Sequence, residues 1–299
     1  MENDVDFSIT EQLDPDELAA GWRAIDAGQP RQHVVVSLGA KSDLGVVREN
    51  NEDKFDFLEP RDPGHLAMKG RVYGVADGMG GHAAGQIASE IALKTLIASY
   101  YQVDDGDVAV SLHAAVTEAN QAVYDGAQVL PERQGMGTTL TAAVVREDKA
   151  YFVHVGDSRG YLVRGGRIRQ VTEDHSWVAE QVKMGGMTLE EALSSPYRNI
   201  ILRSIGTGAA VDADVYVETL EPGDAIVLCS DGLTGHVDDD EIAAQVNAEV
   251  LRRIGPSVAA ARLVEVACER GGRDNITVIV LFVEAILPYD EARERMLAR

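Results

Sequence analysis

Five stretches of the chain place a carboxylate at the seam between an apolar run and a turn. "RENNED" carries Glu52 and Asp53, "VADGMGG" Asp77, "VHVGDSRG" Asp157, "VLCSDGLTG" Asp231 and "GGRDNITV" Asp274. A single Asp of this kind ordinarily hydrogen-bonds its own turn backbone, and Asp77 among Gly78, Gly80 and Gly81 reads that way in isolation. Five such seams, each against a core-like strand, point further. Strand ends on one edge of a sheet share one place, and carboxylates gathered there cannot all stay ionised unless cations join them. A purely oxygen ligand set favours hard ions such as Mg²⁺ or Mn²⁺. No Cys or His cluster with zinc spacing competes with that reading.

The elements that must position these residues follow from periodicity. Strand patterns begin at "HVVVSLG", and "RVYGVADG" predicts a strand ending at Asp77. "GQIASEIALKTLIASYY" carries Ile87, Ile91, Leu93, Leu96, Ile97 and Tyr100 at helical spacing, and "VAVSLHAAVTEANQAVYDGA" predicts a second helix directly after it. "TTLTAAVVR" and "KAYFVHVGD" read as successive strands, and "RGYLVRGGRIRQVT" as a hairpin turning at Gly165-Gly166. Residues 175–207 read as a polar, helical excursion between strands. "VDADVYVETL" and "DAIVLCSDG" return to strand, "DDEIAAQV" and "PSVAAARLVEVACERG" are helices, and "NITVIVLFVE" is the last strand. Runs of strands separated by pairs of helices argue for antiparallel sheets with helices packed outside, an α+β fold. No Gly/Ser-rich or Pro-rich linker interrupts residues 33–285, so one domain is expected over 31–286. An acidic extension precedes it at 1–30, with a short helix from Asp14 docked through Trp22, and a charged tail follows at 287–299.

Composition narrows the function classes. Hydrophobic residues make up 45% and charged residues 25%, a soluble globular balance. The net charge of −22 sets the chain against nucleic acid and against an anionic membrane surface. "MENDVDFSIT" lacks the basic and apolar regions of a secretory signal, and the longest apolar run, "ITVIVLFVEAIL", is too short to span a bilayer. Cys229 and Cys268 read as reduced core thiols, which fits the cytoplasm.

Taken in order, "SDLGVVRENNED", "VADGMGGHAAG", "GMGTTL", "VHVGDSRGYL", "LCSDGLTGHV" and "GGRDNITVIVL" closely resemble the metal-dependent serine/threonine protein phosphatases of the PPM, or type 2C, family, in its bacterial single-domain form. The resemblance covers about residues 34–284. It implies a four-layer α-β-β-α sandwich, two stacked antiparallel sheets with helices on both outer faces. It implies two Mn²⁺ or Mg²⁺ ions, with Asp77 bridging them and Gly78 offering its carbonyl, its missing side chain leaving room for metal-bound water. Glu52 and Asp53 then serve one ion, Asp231 and Asp274 the other, and Asp157 a third, weaker ion. Arg48 holds the substrate phosphate, Asn275 fixes its loop, and residues 175–207 correspond to the mobile flap beside the site.

The implied reaction is hydrolysis of phosphoserine or phosphothreonine on proteins by a water activated between two metal ions, with no covalent phosphoenzyme. Phosphoproteins, the targets of a Ser/Thr kinase or the kinase itself, are the implied partners of a monomeric chain. One departure stands out. Where some family members have a His after the Asp-Gly, this chain has Met79, whose thioether donates no proton. The role does not pass to His82, read as structural, and the general acid is unassigned. Two other readings use the same residues: a non-catalytic module binding phosphoproteins, and a hydrolase of small phosphate esters.

Overall fold

A computed structural model describes residues 32–81, 83–103, 106–251 and 254–291. The acidic extension with Asp14 and Trp22, His82, and the last residues of the tail lie outside the described residues. The chain forms β1 (Gln32–Asp43), β2 (Asp53–Leu58), α1 (Pro63–Lys69), β3 (Arg71–Met79), α2 (Ala83–Gln102) and α3 (Val108–Val129). It continues through β4 (Gly137–Thr138), β5 (Leu140–Arg146), β6 (Lys149–Val155), β7 (Arg159–Arg164), β8 (Arg167–Gln170), α4 (Trp177–Lys183) and α5 (Leu189–Ser194). Last come β9 (Asp214–Thr219), β10 (Ala225–Cys229), α6 (Asp231–Thr234), α7 (Asp239–Leu251), α8 (Pro256–Glu269) and β11 (Ile276–Pro288).

The strands make two antiparallel sheets, ordered β1-β11-β10-β7-β8 and β2-β3-β5-β6-β9, with the short β4 paired to β3. Three apolar clusters fill the three interfaces of a four-layer sandwich. One lies between α2, α3 and the second sheet and uses Val72, Ala76, Leu96, Leu112, Ala142 and Val153. Another lies between the first sheet and α6–α8 and uses Val227, Val280, Leu233, Ile242 and Leu263. The third lies between the sheets and is built from Tyr73, Val75, Ala143, Phe152, Ile226 and Ile279. Neighbouring strand residues thus serve opposite faces, as the pleat demands. On α2 the predicted Leu93, Leu96, Ile97 and Tyr100 are buried, Ile87 and Ile91 only partly, and Ala84, Ala88 and Ala92 bring the helix close to its sheet.

The predicted strands and helices recur with small shifts. β3 runs past Asp77 to Met79, because Gly78 and Met79 pair with Thr138 and Gly137. β11 continues to Pro288, paired with Gln32, so the first residues of the expected tail belong to a strand. The hairpin turns at Gly165-Gly166, both at positive φ. Helix α1 was not among the expected elements. There Asp62 accepts from the His65 amide at 2.7 Å and caps the helix.

Candidate metal centre

The inner faces of the two sheets turn polar at one end. In β3, Tyr73 and Val75 belong to the inter-sheet core and the next residue of that parity is Asp77. In β2, Phe55 packs on the same core and Asp53 precedes it by two. The same step leads from Ala143 to Thr141, from Phe152 to His154 and from Ile279 to Thr277, all buried. Strand periodicity therefore delivers these polar side chains to one rim of the sandwich.

Asp53 is 1% exposed, and its Oδ2 accepts from the Ser230 hydroxyl at 2.7 Å. Burial pushes its carboxyl up to about 7, Asp231 and Asp274 add to the rise, and hydrogen bonds from Ser230 and Thr277 oppose it. Asp77 is held by its backbone. Its amide donates to Thr139 Oγ1 at 2.9 Å, and its carbonyl accepts from the Thr139 amide and the Thr138 hydroxyl, both at 2.9 Å. Its carboxyl is raised well above the ordinary range by burial first, then by Asp53, Asp231, Asp157 and Asp274. Asp231, first residue of α6, is raised by burial and Asp274, while a hydrogen bond with Asp77 opposes the shift. Asp157, 8% exposed in the turn after β6, is pushed up to about 8 by burial and then by Asp231 and Asp174.

The structure thus brings Asp53, Asp77, Asp157, Asp231 and Asp274 into one another's fields. Three buried oxygens in this group, Oδ1 of Asp53, of Asp157 and of Asp231, have no hydrogen-bond partner. Buried carboxylate oxygens without donors carry a large penalty, and a hard cation is the partner that such a donor set fits. Among the described residues no three acidic, His or Cys side chains already form a ligand shell. Asp274 is held by Arg48, whose Nη2 donates to Oδ2 at 2.7 Å. Both members of that pair are partly open to solvent. Arg48 therefore stands at the mouth of the cluster.

Asn275 straps the loops together. Its Nδ2 donates to the Leu44 and Asn50 carbonyls at 2.9 and 3.0 Å, and its Oδ1 accepts from the Glu52 amide at 2.8 Å. The Glu52 carbonyl in turn accepts from the Gly78 amide and the Ser89 hydroxyl. The room that Gly78 provides is taken by protein: a Cβ there would fall on the Gly85 carbonyl and lie 2.8 Å from that of Glu52. Its glycine lets the start of α2 press against β3. Met79 closes β3 and offers no proton.

Sequence reasoning missed Ser230, Thr277, Thr139 and Asp174. The first three follow from parity once register is known. Asp174 holds Arg159 in a fork, with bonds of 2.7–3.1 Å, beside Asp157. Residues 175–207 are tied at both ends. His175 and Gly156 exchange hydrogen bonds, Leu202 N–H donates to the His175 carbonyl, and Ile205 and Thr138 exchange theirs. Their middle is less polar than expected, with Met184, Leu189, Leu193, Tyr197, Ile200 and Leu202 all exposed.

A family model described as protein phosphatase 2C matches residues 49–267. The serine/threonine protein phosphatase PstP of Mycobacterium tuberculosis is 39% identical over 254 residues, which are 84% of this chain and 45% of that protein. The chain thus spans a little under half the length of PstP. The serine/threonine phosphatase stp of Listeria monocytogenes is 35% identical over 246 residues, 81% of this chain and 93% of that one. Among solved structures, the serine/threonine phosphatase of S. agalactiae superposes with a TM-score of 0.76 at 36% identity, covering 84% of this chain and all of that chain. The catalytic domain of PstP in complex with two manganese ions superposes with a TM-score of 0.72 at 37% identity, over 85% of this chain and all of that domain.

Proposed function

We propose that this chain, which belongs to the protein phosphatase 2C family, hydrolyses phosphoserine and phosphothreonine on proteins with two divalent ions, Mn²⁺ or Mg²⁺. One observation carries the reading: five carboxylates from separate segments meet at one rim of the sandwich, with buried oxygens of Asp53, Asp157 and Asp231 left without donors. Asp77 would bridge the ions and Gly78 would lend its carbonyl. Glu52 and Asp53 would hold one ion, partly through water, and Asp231 and Asp274 the other, with Asp157 serving a third. When bound, the ions supply a water of lowered pKa and positive charge for the phosphoryl oxygens.

The rest falls to the chain. Thr138 and Thr139 fix the Asp77 backbone, Ser230 orients Asp53, and Asn275 holds the loop that carries Arg48 and Glu52. Arg48 would leave Asp274 for the substrate phosphate, where its planar fork matches two oxygens. Met79 supplies no acid, so the leaving oxygen takes its proton from water. The substrates are the phosphorylated targets of a Ser/Thr kinase, met in the cytoplasm by a monomeric chain. Its strongly acidic charge and two free cysteines support that setting.

The test is hydrolysis of a phosphothreonine peptide with Mn²⁺ or Mg²⁺, with and without EDTA, beside free nucleotides as competing substrates. Turnover that vanishes in EDTA, returns with Mn²⁺ or Mg²⁺ but poorly with Ca²⁺, and prefers the peptide is expected. Full activity in chelator would overturn the metal reading, and a preference for nucleotides would favour a small-ester hydrolase.

A further inference from the structure

A cavity of about 600 Å³ opens beside the carboxylate cluster, with Asp157 and Asp231 on one side and α4 and α5 on the other. Val178, Val182, Leu189, Ala192, Leu193 and Leu202 give one side of it an apolar wall, while charged side chains such as Arg159, Asp174, Lys183 and Arg203 line the rest. Leu189, Leu193 and Leu202 are each more than half exposed. Burying apolar surface is the dominant favourable term in folding, so exposed leucines lining an open cavity are left for something else to cover.

We infer that this cavity receives a bulky apolar side chain of the phosphoprotein substrate, within about three residues of the phosphorylated Ser or Thr. The inference rests on the phosphatase reading above and adds a sequence preference to it. The occupant follows from continuity: a chain whose phosphate lies at Arg48 and the carboxylates already borders the cavity. Its reach follows from size. A compact space of this volume is about 10 Å across, and an extended chain covers that in about three residues. Its chemistry follows from the wall, where an aliphatic or aromatic group would cover the leucines.

The experiment compares two phosphothreonine peptides, one with Leu at the three positions on either side of the phosphoresidue and one with Ser there, and an aryl phosphate as control. All three are measured with Mn²⁺ on the parent chain and on Leu189→Ser and Leu193→Ser, both on the exposed face of α5. The parent is expected to favour the Leu peptide in kcat/KM by about ten-fold or more, the worth of burying one such side chain. The variants should bring that ratio towards one and leave the aryl phosphate rate unchanged. Equal use of both peptides by the parent overturns the inference. So does a ratio that survives both substitutions. No turnover of any substrate by the parent would instead overturn the phosphatase reading beneath it.

Discussion

Asp53, the first residue of β2, is the direct antiparallel partner of Asp77 in β3. Like charges directly opposite across a ladder destabilise a sheet, and here burial sharpens the repulsion. Protons or cations must relieve it, which makes the metal-free protein the more informative species.

The first prediction is a pH dependence in chelator. Asp53, Asp157 and Asp77 all titrate higher in the folded chain than in the unfolded one, Asp53 at about 7 and Asp157 at about 8. The folded state then holds more protons than the unfolded one between about pH 4 and 8, so stability falls as pH rises through that window. Buried His33 and His154, both lowered to about 4, act oppositely below about 6.5, where the unfolded imidazoles charge. In EDTA the melting temperature should rise as pH goes from 8 to about 6.5 and then rise more slowly, because two imidazoles offset part of what three carboxylates contribute. Saturating Mg²⁺ should flatten the upper part. A flat profile in EDTA would show that these carboxylates do not share one field.

Asp77→Asn keeps the side-chain shape and removes a charge from the cluster. On the proposed role, kcat should be nearly abolished even at high metal. The metal-free variant should melt no lower than the parent, and higher by about 2–4 °C for each kcal/mol of repulsion removed. Steady-state kinetics and melts in EDTA check both halves. Near-normal kcat would return Asp77 to the status of a turn residue.

Gly78→Ala should behave differently. Its new Cβ meets the backbone of Gly85 and Glu52, which no side-chain rotation relieves. A loss of about 1–3 kcal/mol is expected, equal with metal and in EDTA. If the variant were stable and lost only metal affinity, Gly78 would owe its identity to the metal and not to α2.

Arg48→Ala should raise KM strongly while leaving measurable kcat, a loss of about 1.5–3 kcal/mol in kcat/KM. Its pair with Asp274 is half open to solvent, so thermal stability should change by less than about 1 kcal/mol. Metal affinity, measured by calorimetry, should hold or tighten, because Asp274 is freed. Weakened metal binding with unchanged KM would make Arg48 a prop for its loop.

The carboxylates were legible because each sits where an apolar run meets a turn, a purely local signal. Asn275 was named only through the family resemblance, as the residue that follows Asp274. The opposition of Asp53 and Asp77 was not, since register is a property of two distant segments. Nor were Ser230 and Thr277, whose link to Asp53 depends on which strands become neighbours. The crowding behind Gly78 belongs to a helix that arrives later in the chain. Helix α1 hid behind Pro63-Gly64, residues that serve a helix start as readily as a turn.

The order of the first sheet has a consequence for synthesis. β11 lies between β1 and β10, pairing with both, yet it is the last strand to be made. β1 therefore waits, without its neighbour in that sheet, until every other strand of the two sheets has been made. Asp274 and Asn275, immediately before β11, reach the rim only when that strand closes. A nascent chain that has already exposed Asp53, Asp77, Asp157 and Asp231 still lacks the strap holding Arg48 and Glu52. The rim is thus the last part of the sandwich to be completed, and β11 is the strand that closes it.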